Sequence, residues 1–198
     1  MPVTINSVLL PAAELRTEVV DAIRNACLRQ TVAEAQRRFG AGQRLTVRDL
    51  CASDFSFTNN VWTDTSNATP NQWNAIAQGA FTVATGTVIG IFGVRVGWLM
   101  NETLSQVPIT GFRLDVGGAR VAQWDIESLM LPTALIATPQ DIFRLGSDPW
   151  PLGVTKSPVI VGEDITVTIY EYTRTANSAY YPIWEGYAVE KEGRTLKP

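Results

Sequence analysis

The pattern of the chain predicts a mainly β fold: an antiparallel β-sandwich preceded by an N-terminal arm and a helix. Three observations carry this. In residues 159–173, Ile165, Val167 and Ile169 alternate with Thr166, Thr168, Tyr170 and Tyr172, the period of a half-buried strand. Gly117 and Gly118 sit between two alternating runs, and a glycine pair supplies the positive φ values that a two-residue hairpin turn demands. Sustained helical spacing lies ahead of both, between residues 12 and 39.

Taken in order, residues 1–10 read as an extended arm with apolar Val3, Ile5, Val8, Leu9 and Leu10. Pro11 follows, where its missing N–H costs a helix nothing. From Ala12 to about Phe39, Leu15, Val19, Ile23 and Ala26/Cys27 recur at spacings of three and four. Glu14, Glu18 and Asp21 come early and Arg29, Arg37 and Arg38 late, an order that complements the helix dipole. Gly40 and Gly42 stop the helix, and a break near Gln30–Thr31 would divide it in two. The arm and helix, 1–42, thus precede a sandwich domain of 43–198.

Past Gly42 the period changes. Leu45 and Val47 begin strand-like structure, with a short helix an option at 47–52. Residues 58–79, rich in Asn, Thr, Ser and Gln around Trp62 and Trp73, read as a long polar loop, with room for a short helix at 70–78. Residues 80–98 give one long or two short strands bent by glycine. The hairpin around Gly117–Gly118 pairs Val116 with Ala119, Asp115 with Arg120 and Leu114 with Val121. Phe112, Leu114, Val116 and Val121 then share one face. Residues 131–158, with five prolines, form a long connection, and a last strand runs near 183–190.

Composition narrows the chemistry. The 198 residues contain no histidine, the usual proton shuttle near neutral pH and the commonest metal ligand. Histidine-based triads and most zinc sites are therefore excluded. Net charge is −3, and no strongly basic stripe marks a nucleic-acid-binding domain. Arg24, Arg29, Arg37 and Arg38 could still touch nucleic acid or a neighbouring subunit, against the simpler reading of a solvated helix face. Cys27 and Cys51 read as two small buried hydrophobes. Residues 80–100 are apolar enough to raise a membrane span, but Arg95, four glycines and the β-branched residues argue for strands. The start of the chain lacks the charged and apolar regions of a signal peptide, so synthesis in a cytoplasm is expected and the Asn67 and Asn101 glycosylation patterns mean little.

Asp125 and Glu127 are the best glycosidase-like carboxylate pair, with Asp115 near, but a solvated sheet face countered by Arg113 and Arg120 explains them more simply. Asp54, Asp64, Glu163 and Asp164 lack the spacing of a calcium loop. Trp62, Trp73, Trp150 and Trp184 lie in or beside predicted loops. They are either anchors for a sugar or partner or plugs between sheet and loop.

One stretch carries a resemblance. Asp148-Pro-Trp-Pro-Leu-Gly-Val-Thr-Lys-Ser-Pro-Val-Ile-Val-Gly-Glu-Asp-Ile-Thr-Val-Thr-Ile is similar to virion proteins of DNA bacteriophages, in which a Pro-rich turn and a Val-Gly-Glu-Asp-like turn precede a strand of alternating Thr and aliphatics. With the arm, the helix and about eight strands, the chain resembles the jelly-roll β-sandwich over roughly residues 80–190. The resemblance implies a capsid or accessory virion subunit, made in the host cytoplasm and located in the particle, with no catalysis and no cofactor or metal. Its partners would be copies of itself and other virion proteins, with the arm reaching into a neighbour. No single residue is carried over from it; Val3, Ile5 and Leu9 are contact residues because the short apolar arm needs a groove, and Trp62, Trp73 and Trp150 because loop aromatics fit subunit contact. A carbohydrate-binding or host-attachment module is the alternative.

Overall fold

The computed structural model describes residues 9–11, 16–55, 64–66, 69, 71–98, 109–125, 152–173 and 178–192. The strands are β1 (Leu9–Pro11), β2 (Leu45–Asp49), β3 (Asp64–Ser66), β4 (Gln72–Thr82), β5 (Thr87–Trp98), β6 (Ile109–Val116), β7 (Ala119–Asp125), β8 (Leu152–Val161), β9 (Thr166–Thr173) and β10 (Ser178–Lys191). Among the described residues one α-helix, α1 (Thr17–Phe39), precedes β2, and one 3-10 turn spans Ala52–Phe55.

The strands form two antiparallel sheets. The first runs β1-β8-β5-β10-β2, with β3 beside β10; the second runs β4-β9-β6-β7. With β1 and β3 set aside, eight strands remain. The first pairs with the last (β2·β10), the second with the seventh (β4·β9), the third with the sixth (β5·β8) and the fourth with the fifth (β6·β7). Successive pairs fall on alternate sheets. This is a long hairpin wrapped into two layers, the jelly roll.

Alternation places one face of each sheet in a shared core. Phe55, Phe112, Ile89, Ile91, Leu114, Val161, Val167, Ile169 and Trp184 meet there at 2% exposure or less. Phe112 meets Trp184 edge-on at 5.8 Å, and Phe55 stacks on Trp184 at 6.2 Å. Trp184, expected beside a loop, is a core residue of β10 because the last strand begins at Ser178 and runs for 14 residues.

The helix lies on the outer face of the first sheet. Cys27, Thr31 and Ala35, four residues apart, are fully buried. Around them Val20 and Ile23 pack with Phe92 and Val154, and Val32 and Phe39 pack with Val88 and Val189. Gly90 of β5 sits under this stripe, where a Cβ would come within 3.0 Å of Cys27 Sγ and collide with Thr31 Oγ1. Two expectations change. Arg16 is extended (φ −64°, ψ 145°) and helical structure begins at Thr17, so Val19 stays 43% exposed and Val20 takes its place in the seam. No break occurs at Gln30–Thr31: α1 runs continuously through both, and the Thr31 hydroxyl donates to Cys27 O at 2.7 Å within it. Gly40, at φ +98°, ends it.

The expected polar loop at 58–79 is corrected in part. Residues 72–82 are strand β4, entered through Asn71 at φ +61°, with no helix at 71–78. The polar residues do not mark a loop: Asn74, opposite Glu171, holds the Thr69 backbone through its side chain. The long connection likewise ends early: residues 152–158 already belong to β8. Pro158 is tolerated because the ladder to β5 is irregular between Val154 and Val159, and prolines concentrate at such points. The hairpin holds with Gly117 at φ +57° and Gly118 at +80°. Val116 faces Ala119 and Asp115 faces Arg120, but a bulge sets Leu114 opposite Ala122 instead of Val121. Ala122 is therefore the fully buried residue and Val121 the half-buried one. Residues 80–98 become the end of β4 and all of β5, and no described helix is long and apolar enough to cross a membrane.

Candidate functional site on the outer face of the second sheet

Strand β9 runs between β4 and β6, so its outward residues organise the second sheet's outer face. Register sets Trp73 of β4 opposite Tyr172, and Ala75 opposite Tyr170. On the other side Arg113 of β6 stands opposite Tyr170, and Asp115 opposite Thr168. Gln123 and Arg120 of β7 extend the last two rows.

These side chains form one connected layer. Trp73 and Tyr172 meet edge to face at 5.5 Å. The Arg113 guanidinium lies 3.9 Å from the centre of the Tyr170 ring and 5.7 Å from that of Trp73. Arg113 Nε stands 3.0 Å from Asp115 Oδ1, and its Nη2 donates to Asp115 Oδ2 at 3.1 Å. The pair forms along one strand rather than across the hairpin. Arg120, the partner expected for Asp115, donates to Gln123 at 3.4 Å. Arg113 and Asp115 side chains are each only 14% exposed, so the guanidinium is held flat between a carboxylate and two rings. Such a fork is rigid and offers planar, directional recognition.

A second cluster lies at the rim of the first sheet. Arg48 of β2 donates twice to Asp54, at 2.7 Å each, and once to Glu190 of β10 at 2.9 Å. Asp54 also accepts from the Cys51 amide at 2.9 Å. Burial pushes the Asp54 carboxyl up, but the hydrogen bonds from Arg48 and Cys51 outweigh it and hold the group below its ordinary value. This arrangement ties β2, the 3-10 turn and β10 together. A third latch joins two turns: Gly86 N–H donates to Glu163 Oε2 at 2.7 Å and Thr85 Oγ1 to Asp164 Oδ1 at 2.8 Å. The acids weighed as calcium ligands are thus engaged with the protein itself, apart from Asp64, whose side chain is outside the description. Among the described residues no three Cys, Asp or Glu gather to hold a metal ion.

Of the expected contact residues, Trp73 joins the aromatic layer. Leu9 sits in β1, paired with Thr155 of the same chain. Val3, Ile5, Trp62 and Trp150 lie outside the described residues. Asp125 ends β7 opposite Gly111, and Glu127 is outside the description. The four arginines of α1 do not share a role. Arg24 lies over the Phe92 ring at 5.8 Å and 3.7 Å from Asp21. Arg37 and Arg38 both hold Glu34, which Arg37 foremost pulls down to about 2. Arg29 is exposed. Both cysteines are free. Cys27 is buried as expected, and burial pushes its thiol up to about 12. Cys51 is only half-buried, because Asp54 draws its amide and thiol towards the rim.

Sequence reasoning missed the union of Tyr170, Tyr172 and Arg113 with Trp73. The signal was present in the outward Thr/Tyr face of β9, but it gains meaning only once β4 is recognised as a strand beside it. Glu171, on the inward face of β9 and fully buried, was likewise unmarked.

No family model and no curated protein matches the chain. Among solved structures it is similar to the catalytic domain of a GH87 alpha-1,3-glucanase in complex with nigerose, at 13% identity and a TM-score of 0.31, over 80% of this chain and 30% of that one. A variant of that domain with nigerose matches at 12% identity, a TM-score of 0.31 and the same coverage. The chain therefore spans under a third of the length of these proteins, and a likeness at this level carries no functional argument.

Proposed function

We propose that the chain is a structural subunit of a virus particle, a capsid or accessory protein that works through contacts with copies of itself and other virion proteins. The observation that carries the reading is the wrapped eight-strand topology, the architecture of viral capsid domains. The inference from fold to role is by analogy. The 148–169 resemblance adds to it, since its turn joins β8 to β9. The aromatic and arginine layer adds a surface of the residue types that dominate protein interfaces. In this reading the protein is made in the host cytoplasm and resides in the virion. Outward-facing Arg29 on α1, with Arg24, Arg37 and Arg38, is the place where nucleic acid would be touched, and weakly, because Asp21 and Glu34 already neutralise half of that charge.

Mass photometry over a concentration series tests the proposal. Discrete oligomers that grow with concentration are expected. A single monomeric species throughout, together with failure to enter particles when co-produced with other virion proteins, would overturn it.

A second reading has one observation in its favour. Trp73, Tyr170 and Tyr172 on a single sheet face, beside a fixed arginine fork, are the elements of a sugar-binding surface. Against it, Arg113 already covers a face of Tyr170, and Trp73 stands perpendicular to Tyr172 instead of coplanar with it. Binding on a glycan array that is lost in Trp73→Ala would favour this reading over the first.

A further inference from the structure

Strand β2 is the last strand on its side of the first sheet, and among the described residues it pairs with β10 alone. Its hydrogen-bonding phase is fixed at both ends. Leu50 N–H donates to Gly186 O, and Arg44 O accepts from Glu192 N–H. Even-numbered residues therefore bond inward to β10, and the amides and carbonyls of Leu45, Val47 and Asp49 face outward. Asp49 O accepts from Arg48 Nη1 at 3.1 Å and keeps a second lone pair.

Edge strands are commonly blunted by a bulge, a proline or a charge. β2 keeps an unbroken register with β10 over its five residues and holds no proline. The charge at its centre, Arg48, is tied to Asp54 and Glu190. Val47 stands opposite Val189 on the helix side of the sheet. It is 44% exposed, and among the described residues only Val19 is a comparably exposed large apolar side chain. α1 lies over β5, β8 and β10, which leaves room beside β2.

This edge fits itself. A two-fold axis at Val47 sets Val47 against Val47, Thr46 against Arg48 and Leu45 against Asp49 of a second copy, so no like charges face each other. The outward amide and carbonyl of Val47 then exchange with their own counterparts. Moving the axis to Thr46 sets Arg44 against Arg48, and moving it to Arg48 sets that residue against itself; both are penalised.

We infer that the free edge of β2 pairs antiparallel with the same edge of a second copy, the axis passing at Val47, so that two first sheets become one. The inference rests on the geometry of the edge and not on the virion reading. Such an isologous contact is closed. With about six ladder hydrogen bonds it is small, so it forms and parts with concentration.

Sedimentation velocity over a concentration series should show a reversible dimer. Val47→Lys, which sets two like charges against each other, should raise its dissociation constant at least about ten-fold. Val47→Glu alone should do the same, and an equimolar mixture of the two variants should restore association. In a Cys27→Ala/Cys51→Ser background, Val47→Cys should cross-link between copies at least about ten-fold faster than Asp49→Cys. Opposed Cα atoms lie about 5.5 Å apart, within disulfide reach, whereas the two Asp49 positions lie more than about 12 Å apart. These cysteine variants carry the test should Val47→Lys fail to fold. A monomer at every concentration, a dimer indifferent to Val47→Lys, or equal cross-linking rates would overturn the inference. Particles that take up a protein shown to be monomeric would overturn it too and leave the virion reading standing.

Discussion

At Gly90 the space between helix and sheet is set by a missing side chain. A Cβ there meets Cys27 Sγ and Thr31 Oγ1, so Gly90→Ala must push α1 outward. Overpacking of this kind costs about 1–3 kcal/mol, and thermal unfolding should show a lower midpoint, whereas Gly42→Ala, which meets nothing within 4 Å, should leave it near the wild-type value. The Arg48–Asp54–Glu190 cluster makes a pH prediction. The Asp54 carboxyl is depressed below 3.8, so its contribution is fully present above that value and is lost as pH falls through the lower, folded value. Asp54→Asn should destabilise the protein at pH 7 by about 1–3 kcal/mol, discounted because Arg48 is partly exposed. The difference between variant and wild type should shrink in denaturant titrations taken below pH 4. The two thiols should also separate. Cys27, buried and pushed up to about 12, should resist alkylation in the folded state, while half-buried Cys51 reacts. Equal labelling would contradict the seating of α1.

Among the elements, the hairpin of β6 and β7 and the last two strands were legible because their signals are local. A glycine pair fixes a turn, and strict alternation fixes which residues face inward. Gly117 and Gly118 both sit at positive φ, where a β-branched residue is strained. Gly117→Val should lower the unfolding midpoint by the equivalent of roughly 1–3 kcal/mol, although nothing crowds the site. The bulge that puts Ala122 in the core was not legible, because an extra residue in one strand is selected by the packing of the whole sheet. β4 was missed for a related reason: polar residues fall on both of its faces, Thr82 with Trp73 on the outer one and Gln72 and Asn74 on the face of Glu171, so no period-2 alternation marks it and the segment looks like a loop in isolation. The start of α1 moved by five residues, from Ala12 to Thr17, and Pro11, read as leading into the helix, is instead part of β1.

For the whole molecule, the sandwich class followed from the number and spacing of alternating runs. The pairing order did not, because wrapping joins residues far apart in sequence, such as β2 with β10, and no local pattern encodes that. The aromatic layer was legible only in part for the same reason: Trp73 stood out as a tryptophan, but Tyr170 and Arg113 gained significance when β4, β9 and β6 came side by side. Core truncation should report on the sandwich as a unit. Trp184→Ala removes a side chain that touches both Phe55 and Phe112, and should cost about 3–5 kcal/mol while lowering the unfolding midpoints read from both sheets together.

The central claim is that this jelly roll is built to associate. Electron microscopy of the purified full-length protein, concentrated and alongside particles assembled from co-produced virion proteins, is the most direct measurement of it. The account predicts ordered oligomers or density for this subunit in the particle shell or its attachments; isolated monomers in every field and particles that lack the protein would contradict it.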